Sequence, residues 1–184
     1  KGLAWGVGLS TGWRDSSGRI RPSITDCCEW YGIECDSGGS VAALLLSNNG
    51  LEGEVAGESI ARLTGLKHID FSKNSLSGSV PHQLATLPLL THLLLYHNQL
   101  TGAIPSSLSS SKSITRLVLS ANKLSGTIPP ELGSMSSLTH LVLHENSLHG
   151  TIPPQLSQAE SLTHVYLHNN VLEGSVPASL YNHH

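Results

Sequence analysis

The chain has 184 residues, 39% of them hydrophobic but only 4% aromatic, enough for one sizeable core built from aliphatic side chains. A formal net charge of −3 with no basic stripe excludes a general nucleic-acid binder, and no run of about 18 apolar residues is present to span a membrane. The compositional outlier is eleven His: their reference pKa is about 6.5, so mild acid would reverse the sign of the surface charge.

Residues 1–40 follow no repeat and read as a capping region. They hold all three Trp (Trp5, Trp13, Trp30) and all three Cys (Cys27, Cys28, Cys35). The opening KGLAWGVGLS is too rich in glycine to be an intact signal peptide. Clustered Cys admit either a structural disulfide or a zinc site, but three Cys with one adjacent pair lack the paired C-x-x-C spacing of zinc ligands. The odd Cys suggests a free thiol, a bridge to another chain, or material missing from the N-terminus.

The run Cys27-Cys28-Glu-Trp30-Tyr-Gly32-Ile33-Glu-Cys35 resembles the N-terminal capping module of plant-type leucine-rich repeat proteins. The resemblance implies a Cys28–Cys35 disulfide, Trp30 packed over the first repeat, and a secreted or extracellular setting, free or as a cell-surface ectodomain. The family's longer amphipathic helix and upstream Cys are missing here, which leaves Cys27 without a partner and open to self-association.

From residue 41 onward one frame recurs around Asn49, Asn74, Asn98, Asn122, Asn146 and Asn170, at intervals of 25, 24, 24, 24 and 24. Each repeat starts on an apolar residue (Val41, Leu66, Leu90, Ile114, Leu138, Leu162), with further apolar residues three and five places on. Alternation of that kind is the period of a strand, and a fixed period in this range is the signature of a leucine-rich repeat solenoid. The repeated Asn is expected to end the strand and bond backbone groups of neighbouring coils. Leu100-Thr-Gly102-Ala-Ile104-Pro105 recurs at 124–129, 148–153 and 172–177, which resembles the plant-specific subclass. That resemblance implies a second short strand per repeat and a right-handed superhelix. The expected fold is therefore an α/β solenoid with a parallel β-sheet on its concave face, a disulfide-bearing cap over 1–40 and six repeats of about 24 residues over 41–184. In the first repeat Ala56 replaces the Pro, and Ser106–Ser113 reads as a solvated return segment.

With the repeat Leu residues inward, alternate strand positions face out and form columns across strands about 4.8 Å apart. The first column is His68, His92, Arg116, His140 and His164; the second is Asp70, Leu94, Val118, Val142 and Tyr166; the third is Ser72, Tyr96, Ser120, His144 and His168. Outward aliphatics beside filled inward layers point to a contact surface. Candidate ligand-binding residues are accordingly His92, Leu94, Tyr96, Arg116, Val118, His140, Val142, His144, His164, Tyr166 and His168. The His column predicts affinity that changes several-fold between about pH 5 and 7.5.

Other chemistry is not expected. The pairs His140/His164 and His144/His168 lie about 13 Å apart along the strands, too far for one ion, and Glu145 next to His144 would point to the opposite face of a strand. No metal, cofactor or catalytic residue is assigned: no nucleophile motif, phosphate-cradling loop or facing carboxylate pair occurs. The Thr column (Thr91, Thr115, Thr139, Thr163) evokes an ice-matching array but is single and flanked by His. No N-x-(S/T) site is present, and Leu172, Val176 and Leu180 should form an uncovered layer at the last repeat. These features describe a non-enzymatic extracellular recognition module for a peptide or protein. The alternative is a structural subunit of an extracellular assembly that uses its open end.

Overall fold

The computed structural model describes residues 27–181. Trp5, Trp13, His183 and His184 lie outside the described residues, as does most of the capping region.

Seven short strands form one sheet: β1 (Ile33–Cys35), β2 (Val41–Leu45), β3 (His68–Asp70), β4 (His92–Leu94), β5 (Arg116–Val118), β6 (His140–Val142) and β7 (His164–Tyr166). β1 runs antiparallel to β2, and every later pair is parallel. In β3–β6 the middle residue points inward: Ile69, Leu93, Leu117 and Leu141 are fully buried. In β7 the equivalent, Val165, is 37% exposed, because no further coil among the described residues packs on it. Leu172 and Leu180 are half-buried against the core and Val176 is exposed, as an uncovered layer requires.

The second strands expected from the resemblance are present as three parallel pairs. They are Glu52–Glu54 with Ser75–Ser77, Thr101–Gly102 with Lys123–Leu124, and His149–Thr151 with Val171–Glu173. The returning side is mostly 3₁₀ rather than α-helical: His82–Thr86, Ser106–Ser110, Pro130–Ser134 and Pro154–Gln158 are 3₁₀ turns. Each is preceded by a Pro held near φ −65°, so the chain enters the turn extended and has only five residues before the next strand approach.

The Asn positions carry the polar side of the core. Asn98 Nδ2 donates to the carbonyls of Phe71 (2.9 Å) and Leu95 (3.1 Å), while its Oδ1 accepts from the amide of Leu76 (3.0 Å). Asn74, Asn122, Asn146 and Asn170 repeat the arrangement one coil apart. Each side chain thus satisfies peptide groups that the strand-to-turn bend removes from the sheet ladder. The bend itself uses the residue before the Asn, which is left-handed in every repeat: Asn48, Lys73, His97, Ala121, Glu145 and Asn169 have φ between 51° and 57°.

At the cap, Cys28 and Cys35 form a disulfide across seven residues, and Trp30 packs against the core, as the resemblance implied. Gly32 sits at φ +77°, and a Cβ there would run into the Leu45 carbonyl oxygen, so the cap can close on β2 only with glycine. Cys27 is a half-buried free thiol.

Candidate functional site

Strand register decides which outward side chains are neighbours. His68, His92, Arg116, His140 and His164 are aligned across β3–β7, and so are Asp70, Leu94, Val118, Val142 and Tyr166, with Leu45 added by β2. In the second column Leu94, Val118 and Val142 are half-buried among their neighbours, while Leu45 (37%) and Tyr166 (44%) are exposed at its ends. Asp70 interrupts this stripe, and its carboxylate accepts hydrogen bonds from the amide and hydroxyl of Ser72.

The third column departs from expectation. Ser72 and Ser120 are buried, Ser72 bonded to Asp70 and to the Ser47 hydroxyl, so they offer nothing to a ligand. Just beyond the strand ends the small Ser side chains turn into the coil, whereas the rings of Tyr96, His144 and His168 are too large to follow. Tyr96 stands apart, while His144 and His168 stack with ring centroids 4.5 Å apart.

The His column is locked by the Thr residues beside it. Thr91, Thr139 and Thr163 each donate a hydroxyl proton to a backbone carbonyl of the preceding coil, and each oxygen also lies 2.8–2.9 Å from Nδ1 of the following His. A hydroxyl has one proton to give, so Nδ1 of His92, His140 and His164 donates to it, which in the neutral ring leaves Nε2 as an acceptor. His140 and His164 stack with centroids 4.3 Å apart and planes 3° apart, and His68 and His92 meet at 4.5 Å with a tilt of 52°. Arg116 separates the two pairs. The Thr115 hydroxyl likewise donates to the Thr91 carbonyl, so the Thr residues form one ladder across the coils.

Crowding of basic groups has an electrostatic consequence. Partial burial, then the neighbouring His68, Arg116 and His140, holds His92 below its usual pKa; burial, then His164 and Arg116, does the same to His140. A His with a depressed folded-state pKa binds fewer protons than in the unfolded chain, so stability is intact at neutral pH and is lost as pH falls below about 6.5 through the folded values. Thermal melts should therefore shift downward from about pH 7.5 to about pH 5, and the His92→Gln/His140→Gln double variant should show a shallower decline. A variant that declines as steeply as the parent would contradict this assignment.

The sequence also matches known families. Residues 40–100 match the model described as "Leucine rich repeat", and residues 113–135, 137–159 and 161–183 match "Leucine Rich Repeat", together more than two-thirds of the chain. A protein of Arabidopsis thaliana named as a probable leucine-rich repeat receptor-like protein kinase is 42% identical over 57 residues, covering 31% of this chain and 5% of that protein. The ectodomain of the Arabidopsis receptor kinase HAESA, solved with an N-terminally extended IDA peptide hormone, superposes with a TM-score of 0.75 at 31% identity. That match covers 84% of this chain and 30% of HAESA. A plant ice-binding protein superposes with a TM-score of 0.68 at 29% identity, over 83% of this chain and 58% of that one. This chain thus spans a small part of the receptors it matches.

Proposed function

Since the chain belongs to the leucine-rich repeat family, we propose that it is an extracellular, non-enzymatic recognition module that takes a peptide or protein partner on the concave face of its sheet. The observation that carries this reading is the aligned stripe Leu94–Val118–Val142–Tyr166. The inward layer is complete without these side chains, as Leu93, Leu117 and Leu141 are fully buried, so the fold does not need apolar residues on the outer face. Flanked by Nε2 acceptors of the His column, the stripe offers apolar burial in its middle and hydrogen-bond direction along one edge, the division of labour found in peptide-binding surfaces.

HAESA, similar to this chain, was solved with a peptide hormone bound, which supports the class of partner. The disulfide supports an oxidising, extracellular setting, and no helix among the described residues is long and apolar enough to cross a membrane. A plant ice-binding protein is also similar to this chain, and the hydroxyls of Thr91, Thr115, Thr139 and Thr163 here are bonded to backbone carbonyls.

The test is selection of peptides from a random display library on the intact chain, followed by binding measurements with Val118→Glu, Val142→Glu and, on the returning side, Ser107→Glu. Peptides that discriminate the first two from the third support the reading. Peptides that lose binding only with Ser107→Glu overturn it.

A further inference from the structure

We propose that His144, Glu145 and His168 form a binding site for one divalent transition-metal ion of the zinc class, at the edge of the sheet where β6 and β7 end. One ligand atom from each of the three lies within 4.8 Å of the others. The sequence argued against a carboxylate here, because adjacent residues on a strand point to opposite faces. At this position the strand alternation has already ended. β6 ends at Val142, and Glu145 is left-handed at φ 57°, so the chain has already turned and brings its carboxylate round to the imidazoles.

The two rings are prepared for a shared ligand. His144 and His168 stack with centroids 4.5 Å apart and planes 11° apart, which holds the two imidazoles side by side. Nδ1 of His144 is buried with no hydrogen-bond partner, so coordination through that atom breaks no existing bond and satisfies an orphaned polar group. The other stacked pair, His140 and His164, differs on both counts: each Nδ1 is bonded to a Thr hydroxyl, and no carboxylate joins them. Among the described residues the remaining ligand cluster is Cys27, Cys28 and Cys35, two of which are consumed by the disulfide.

The scaffold does not dictate these residues. Positions equivalent to Glu145 hold Lys73, His97, Ala121 and Asn169, and those equivalent to His144 in earlier repeats hold Ser72, Tyr96 and Ser120. Only in the last two repeats do two imidazoles and a carboxylate converge. Two His nitrogens and one carboxylate oxygen are a donor set for zinc and its neighbours, with the remaining positions left to water or to an external ligand. Tetrahedral coordination at about 2.0–2.1 Å brings ligand atoms to roughly 3.3 Å of one another. Glu145 and His168 are exposed, so both can rotate inward over the remaining gap while His144, half-buried, stays fixed.

The experiment is calorimetric titration of Zn²⁺ into the full chain carrying Cys27→Ser, His183→Ala and His184→Ala, which removes the free thiol and the terminal His pair. One ion per chain is expected, with a dissociation constant in the micromolar range. Glu145→Gln should weaken binding by about 10-fold and His168→Ala by about 100-fold, while His164→Ala leaves it unchanged. Co²⁺ supplies a second readout: its visible absorption should grow with the parent chain and be absent with His168→Ala. Circular dichroism melts establish that the exposed-site variants remain folded. Absence of saturable binding, binding undiminished by His168→Ala, or binding that is lost with His164→Ala instead would overturn the assignment.

Discussion

Asn122→Ala is expected to destabilise the chain by about 3–5 kcal/mol, because it leaves several peptide groups unpaired at about 1–3 kcal/mol each, partly relieved by entering water. The Asn122 Nδ2 group donates to the carbonyls of Leu95 and Leu119, both at 3.0 Å, and Oδ1 accepts from the Leu100 amide at 3.0 Å. These groups belong to two successive coils, so one side chain holds the middle of the stack together. Asn122→Asp should fare no better: it keeps an acceptor for Leu100 but places a carboxylate against two carbonyls. Since stability in a repeat array is a sum of nearest-neighbour terms, the urea unfolding curve of Asn122→Ala should also broaden or split into two steps. A loss below about 1 kcal/mol with a single sharp transition would mean that the Asn ladder is not what satisfies the bends.

The second large effect is on binding. Val118 and Val142 are adjacent in register at the centre of the stripe, where a bound peptide would be most completely desolvated. Val118→Glu and Val142→Glu each remove apolar contact and oblige a carboxylate to lose water, for an expected loss of about 100-fold in affinity, or about 2.7 kcal/mol. Both side chains face outward and are only half-buried, so the variants should melt within about 1 kcal/mol of the parent. Arg116→Ala, at an exposed position beside them, should cost less and should matter most at low salt.

Much of this architecture is legible in the sequence because a repeat states each structural rule six times. The Leu spacing gave the strands, the Asn spacing gave the ladder, and the Cys28–Cys35 bridge followed from the likeness of the cap. What escaped notice depends on backbone detail at the bends. The left-handed residue before each Asn is Asn, Lys, His, Ala, Glu and Asn in turn, none of them glycine, so composition offers no signal that the alternation of faces stops there. Two misreadings share that cause: Ser72 and Ser120 are buried although strand alternation turned them outward, and Glu145 joins His144 although alternation turned it away. The Thr column was visible, but its role was not. A Thr that bonds the preceding coil and fixes the tautomer of the next His cannot be told from a free hydroxyl by spacing alone.

The account rests on the sheet face being the recognition surface, and methyl-resolved NMR of the intact chain tests that most directly. Titration with a peptide recovered by display selection should shift the methyl signals of Leu94, Val118 and Val142 first and most. Signals of Leu108, Leu132 and Leu156 on the returning side should stay in place. Shifts confined to those returning-side residues, with the stripe unmoved at saturation, would contradict it.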